Sequence, residues 1–149
     1  MNYSDNSMKF TAVLNGNVPI PRLMNALGHT TAGLAAECGL SVVHYLDYHN
    51  EADGFYSKIA EAPFIILKAK NSNQLSNLRA AAKAADILHN TFISAMIGTS
   101  AAEQVEQTRV ATAASLEYWV VVLFGDAEAI NPLTKKFSLF NVGAQEQGG

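Results

Sequence analysis

A single cysteine in 149 residues leaves no partner for a disulfide within the chain, so the fold must be held by its core rather than by cross-links. Charge is sparse too. Only 15% of residues are Asp, Glu, Lys or Arg, and ten basic against 13 acidic side chains give a net charge of −3. That balance denies the chain the general attraction to polyanions that drives sequence-independent nucleic-acid binding, although a local basic patch stays open. No stretch approaches the roughly 20 uninterrupted apolar residues of a membrane-spanning helix, and the start MNYSDNSMKF lacks the basic and apolar regions of a secretion signal. The expectation is a soluble cytoplasmic protein with no membrane partner. With 10 Gly and 4 Pro, a disordered or collagen-like composition is excluded as well.

What the chain does have is apolar residues, 49% of the total, enough at this length for a core that needs no metal or disulfide. One domain over residues 1–149 is expected, with fraying ends at 1–7 and 142–149. Lys9–Asn15 (KFTAVLN) is rich in β-formers and runs into the turn residues Asn-Gly-Asn-Val-Pro. From Pro19 to about Cys38, Ile20, Leu23, Met24, Leu27, Thr31, Leu34, Ala35 and Cys38 recur at helical spacing, with prolines suited to the first turn and Gly39 to the stop. Ser41–His49 resembles a strand, followed by turn chemistry at Glu51–Gly54 that would send the chain back antiparallel.

Phe64–Leu67 (FIIL) reads as a short buried strand. Asn71–Asn73 offers caps for a second helix whose stripe is Leu75, Leu78, Ala82, Ala85 and Leu88, with Asn90 as its stop. Thr91–Ile97 and Tyr118–Phe124 (YWVVVLF) are further strands, the second apolar on both faces as a central strand must be. Ser100-Ala-Ala-Glu103 has capping-box spacing and should open a short helix, and a last short helix falls within Ala127–Lys136. With no internal repeat and no linker, this order predicts an α/β sandwich, a central sheet with helices on both faces.

Turning the first helix at 100° per residue places Arg22, Asn25 and His29 in one polar line away from the apolar stripe. Ala26, Gly28, Ala32, Gly33 and Ala36 lie around it and would let a ligand or a second subunit approach closely. The competing reading is a solvated helix face. His44, Asp47 and His49 are metal-ligand types, but strand alternation sends His44 to the face opposite the other two. His89 suits an interaction with the last carbonyls of a helix. Lys68, Lys70, Arg79 and Lys83 make either a modest anion-binding edge or a solvated face.

Asn15-Gly16-Asn17 precedes a helix as phosphate-binding loops do but lacks P-loop spacing. No Gly-x-Ser-x-Gly elbow or HExxH is present, and Cys38 falls on the core stripe. Neither a cofactor nor a metal is expected.

Four segments in order, Lys9–Asn15, Pro21-Arg-Leu-Met-Asn25-Ala-Leu-Gly-His29, Pro63-Phe-Ile-Ile-Leu-Lys68 and Leu133-Thr-Lys-Lys-Phe-Ser-Leu-Phe140, resemble the uncharacterised branch of the type II peptidyl-tRNA hydrolase superfamily. That branch is domain-of-unknown-function family 2000, and the likeness covers about residues 8–140. The resemblance implies a mixed four-stranded sheet between helices and a homodimer. Active hydrolases of the superfamily carry a Gly-Lys-Gly-Lys segment entering the first helix, then Ala-Ala-Gln and a histidine. His29 retains the histidine and Arg22 has the spacing of the second lysine, whereas the first lysine falls on Ile20. Where the hydrolases end a strand with Asp-Ala-Gly-x-Thr, this chain has Met96-Ile97-Gly98-Thr99-Ser100, which keeps Gly98, matches Ser100 and loses the acid.

A thioether cannot orient water or accept a proton as a carboxylate does. Two expectations follow. One is a non-hydrolytic module binding a small polar or anionic ligand, or a partner, at Arg22, Asn25, His29, Gly98 and Ser100. The other is a divergent ester or amide hydrolase, acting on peptidyl-tRNA, with His29 as general base and Arg22 on the developing anion.

Overall fold

The structure is a computed structural model that describes residues 7–141; the ends expected to fray lie outside the described residues, except Ser7, whose carbonyl accepts from the Ala127 N–H at 2.7 Å. In chain order the elements are β1 (Met8–Asn15), α1 (Ile20–Cys38), β2 (Tyr45–His49), β3 (Tyr56–Ala60), β4 (Phe64–Ala69) and α2 (Ser72–Ala84). They continue with β5 (Leu88–Ile93), a 3-10 turn (Ser94–Met96), α3 (Ala101–Val110), β6 (Tyr118–Asp126), α4 (Ala127–Thr134) and β7 (Ser138–Leu139). One sheet has the order β5-β6-β1-β4-β7, and β2 and β3 form a separate two-stranded hairpin. Only β1 and β4 run parallel; the other pairs in the large sheet are antiparallel.

The sheet sits between helices because its central strands have no polar face to offer water. Phe10, Ala12 and Leu14 of β1 join Val120, Val122 and Phe124 of β6 and Leu23, Ala26 and Leu34 of α1 in one buried cluster. Val13, Val121 and Leu123 point the other way, onto Leu75, Leu78 and Ala82 of α2 and Ile130 of α4. Alternation along two strands thus feeds two cores, one on each side, the three-layer arrangement anticipated.

The four-stranded count is corrected to five. β7 is the addition, a two-residue strand pairing Leu139 with Leu67 and Ser138 with Lys68, too short for any periodicity to announce it. Three boundaries also differ. The strand expected from Ser41 begins at Tyr45, because Gly39 to Val43 wind a further turn in which the Val42 and Val43 N–H groups both donate to the Gly39 carbonyl.

The second helix stops at Ala84, not near Asn90. Asp86 takes φ 57°, its N–H donates to Lys83 and that of Ile87 to Ala82, which is a Schellman ending with aspartate where glycine is usual. Leu88, placed on the helical stripe by its spacing, therefore belongs to β5, and the strand expected over Thr91–Ile97 runs over Leu88–Ile93 instead.

Candidate functional site

The loop after β1 is fixed by Asn15, a buried polar residue at the strand's end. Its Nδ2 donates to the Tyr118 carbonyl at 2.9 Å and its Oδ1 accepts from the Asn17 N–H at 2.9 Å, while the Gly16 N–H donates to Ala69. Asn17 Nδ2 in turn donates to the Lys70 carbonyl. These groups are committed to protein partners, so the loop's job is to aim α1 rather than to cradle a phosphate.

α1 then lies over β5, β6 and β1, burying Leu23, Ala26, Thr30 and Leu34. This corrects the expected stripe: Ile20 and Met24 are exposed, because the flank they occupy is not over those three strands. Arg22, Asn25 and His29 are exposed, and they border the buried stripe instead of opposing it. Their flank forms one wall of a groove whose other side is β5 and the turn that follows it.

The structure divides the polar line between two adjoining cavities. Asn25 and His29, with Thr30, open onto a cleft of about 530 Å³ whose floor is Asn90, Thr91 and Phe92 of β5 and whose far wall is Met96, Ile97 and Gln104. Asn90 ties that floor to the helix, donating from Nδ2 to the Thr30 carbonyl at 3.1 Å and accepting at Oδ1 from the Thr91 N–H at 3.0 Å. The approach needs Gly33, since a Cβ there would lie 2.9 Å from Asn90 Nδ2. Gln104 donates to the Gly98 carbonyl at 3.1 Å, and the lining residues leave Asn25, the imidazole of His29 and the Gln104 carbonyl oxygen as hydrogen-bonding groups facing a space free of formal charge.

Arg22 lies beyond Ile97, which borders both spaces, in a cavity of about 420 Å³ shared with Asn17, Ser94, Glu117 and Trp119. Here a bulge decides the geometry. Ile93 pairs with Tyr118 and Phe92 with Val120, so Trp119 is the extra residue and turns to the same side as Val120. The guanidinium of Arg22 stands 6.0 Å from the Trp119 ring centroid, and Trp119 Nε1 donates to Glu117 Oε1 at 3.2 Å.

Of the other residues singled out, Gly98 adjoins the cleft through its bond to Gln104 but lines neither cavity, and Ser100 caps α3, its hydroxyl accepting from the Glu103 N–H at 3.2 Å. The Glu103 carboxylate accepts from the Thr99 hydroxyl instead of closing a full capping box. His44, Asp47 and His49 do not converge: Asp47 pairs with Lys58 at 2.6 Å and His49 stacks on Tyr56 with ring centroids 4.2 Å apart. Among the described residues no three of His, Cys, Asp and Glu are grouped to hold a metal ion.

His89 Nδ1 meets the Ile87 carbonyl at 2.7 Å, a local contact on β5. Lys68 lies over Phe140 on the face opposite α2, which carries Arg79 and Lys83, so Lys68 shares no edge with those two. Burial, then the Glu37 carboxylate beside it, raises the Cys38 thiol above its ordinary range, which suppresses the thiolate a nucleophile needs. Sequence reasoning missed Asn90, Gln104, Glu117 and Trp119; a polar Asn in mid-strand was the available signal for the first, while the others depend on a turn and a bulge.

Fold and site together define an α/β protein with a mixed sheet and an amide-lined cleft beside a small cavity that holds Arg22 and Glu117. The chain belongs to the DUF2000 family, proteins of unknown function, whose profile matches residues 8–141. A solved structure of a protein of unknown function, Atu0240 from Agrobacterium tumefaciens strain C58, is similar in fold, with a TM-score of 0.75 at 17% identity over 91% of this chain and 98% of that one. No curated protein matches. Among the described residues no helix is long and apolar enough to cross a membrane.

Proposed function

We propose that this chain is a non-hydrolytic binding module of peptidyl-tRNA hydrolase II-like fold, acting as a cytoplasmic homodimer and holding a small polar ligand at Asn25 and His29. The observation that supports this most is the lining of the cleft: Met96, at the place of the hydrolases' aspartate, shares it with His29, and no carboxylate, lysine, arginine, serine or cysteine does. A base or nucleophile with nothing to orient it gains little. Asn25 and His29 can each donate and accept a hydrogen bond, and Phe92, Met96 and Ile97 supply an apolar bed, the usual composition of a ligand site.

One observation favours the second reading, a divergent peptidyl-tRNA hydrolase. His29 is exposed at the cleft and its ring makes no hydrogen bond among the described residues, so its imidazole is available to a substrate as a base. Incubating purified protein with peptidyl-tRNA separates the two. No turnover is expected, whereas cleavage at about 1 per second or faster that disappears in His29→Ala would establish the hydrolase. A solution mass near 16.0 kDa at micromolar concentration would remove the dimer.

A further inference from the structure

The cavity around Arg22 and Trp119 is separate from the His29 cleft, and its chemistry is different. It is lined by one cation and one carboxylate, Arg22 and Glu117. Neither has an ion-pair partner among the described residues; the pairs found there are Lys58 with Asp47 and Arg109 with Glu106. Both charges address the same indole: the Arg22 guanidinium stands 6.0 Å from the ring centroid, and Glu117 accepts from its N–H. Trp119 itself is 5% exposed, so the ring is packed in place and not a side chain free to swing aside.

We propose that this cavity binds a small zwitterion carrying one ammonium and one carboxylate, the chemistry of a free amino acid or a very short peptide. The carboxylate of the ligand lies at the Arg22 guanidinium, which presents paired N–H donors matched to two oxygens, and the ammonium lies at Glu117. A ligand with both charges answers both groups at once. A phosphate or other polyanion is opposed by Glu117, and a plain cation by Arg22, so the cavity selects against ligands of single sign. Ser94 and Asn17 add polar groups at the rim, and Ile97 and Val18 give an apolar surface for a side chain. A volume of about 420 Å³ admits an amino acid or dipeptide and is too small for a folded partner.

This assignment does not depend on the His29 cleft being occupied. Trp119 is the only tryptophan in the chain, so its emission and its indole N–H resonance report on this cavity directly. The purified full chain is titrated with the natural amino acids, with diglycine, and with the N-acetyl and methyl ester derivatives of whichever binds. At least one amino acid or diglycine is expected to give a saturable change, the two arms separating a free amino acid from a peptide. Each derivative, lacking one charge, should bind about tenfold more weakly or worse.

Arg22→Gln is expected to abolish the response, and Glu117→Gln to remove the preference for the amino acid over its N-acetyl form. Both residues are exposed, so the variants should fold, which the dispersion of the remaining amide resonances checks. His29→Ala should leave the titration unchanged; if it alone abolishes binding, the ligand belongs to the cleft and not to this cavity. No saturable response at millimolar concentration from any amino acid or diglycine, or equal binding of the derivatives, overturns the proposal.

Discussion

The β1–β6 pair and the β2–β3 hairpin both carry aromatic and aliphatic residues, interleaved in the hairpin with Asp47, His49, Ser57 and Lys58, and they meet opposite fates. From Tyr118 to Phe124 seven consecutive residues of β6 are buried, because α1 covers one face and α2 with α4 the other. In the hairpin Tyr48, Phe55, Tyr56 and Ile59 are all exposed. Its strands pair with each other over five positions and, among the described residues, with no other strand, and it is rooted by Val43, Tyr45, Ala60 and Ala62 packing against the α1-side core. Aromatic and aliphatic residues suit a strand in both places, while burial follows from the unbroken apolar run of β6 and from the helices that cover it.

The comparison breaks most sharply at Phe124. Its ring packs 4.6 Å from that of Phe10 in the sheet's centre, and it is 2% exposed. Phe124→Ala should cost about 3–5 kcal/mol through lost burial and the cavity left behind, read as a fall in the urea midpoint without a change in slope. A loss under ~1 kcal/mol would mean that the centre of the sheet tolerates a void as the hairpin does.

Asn15→Ala is the next largest. The residue is 2% exposed and serves as donor to Tyr118 and acceptor from Asn17, so removing it leaves a buried carbonyl and an N–H without partners. The expected cost is about 1–3 kcal/mol in the same denaturation experiment. Because the loop aims α1, the resonances of Arg22 and Asn25 should also move; if stability falls and they do not, Asn15 anchors the strand without positioning the helix.

These two sites show how far the residues disclosed the structure. β6 was legible because an uninterrupted apolar run has only one place to go in an α/β fold. The first helix was legible in extent, since prolines and Gly39 bracket it, but not in rotation. Its apolar residues span more surface than the sheet covers, and which flank stays wet depends on how the helix lies across the strands. Arg22, Asn25 and His29 were found from helical geometry alone, yet their division between two cavities turns on Ile97, placed by a 3-10 turn, and on the Trp119 bulge. Neither is a local property of the sequence.

Leu88 shows the limit in miniature. Its spacing fits the α2 stripe, and Asp86 ends the helix first. A left-handed residue with a Cβ costs more than glycine does, so Asp86→Gly is expected to stabilise the protein by about 0.5–1 kcal/mol, with the Schellman bonds kept. A higher urea midpoint checks it. A lower one would show that the aspartate side chain holds the helix end by more than its backbone conformation costs.

The smallest effect is expected in the hairpin. Its turn is set by backbone and polar contacts: Gly54 at φ +73°, the Asn50 and Phe55 backbone bond at 2.9 Å, and the Asn50 side chain accepting from the Asp53 N–H at 2.9 Å. Phe55 contributes its backbone to that turn, and its residue surface is 51% exposed. Phe55→Ala keeps every one of those bonds and uncovers little that was dry, so the global stability should change by no more than about 0.5 kcal/mol. Amide exchange should remain fast in Tyr45–Ala60 and slow in β1 and β6 in both proteins, since exposed hairpin bonds open locally without unfolding the sheet. If the same substitution instead lowers stability in a concentration-dependent way, the ring is buried between copies of the chain and the hairpin's exposed side chains belong to a subunit contact.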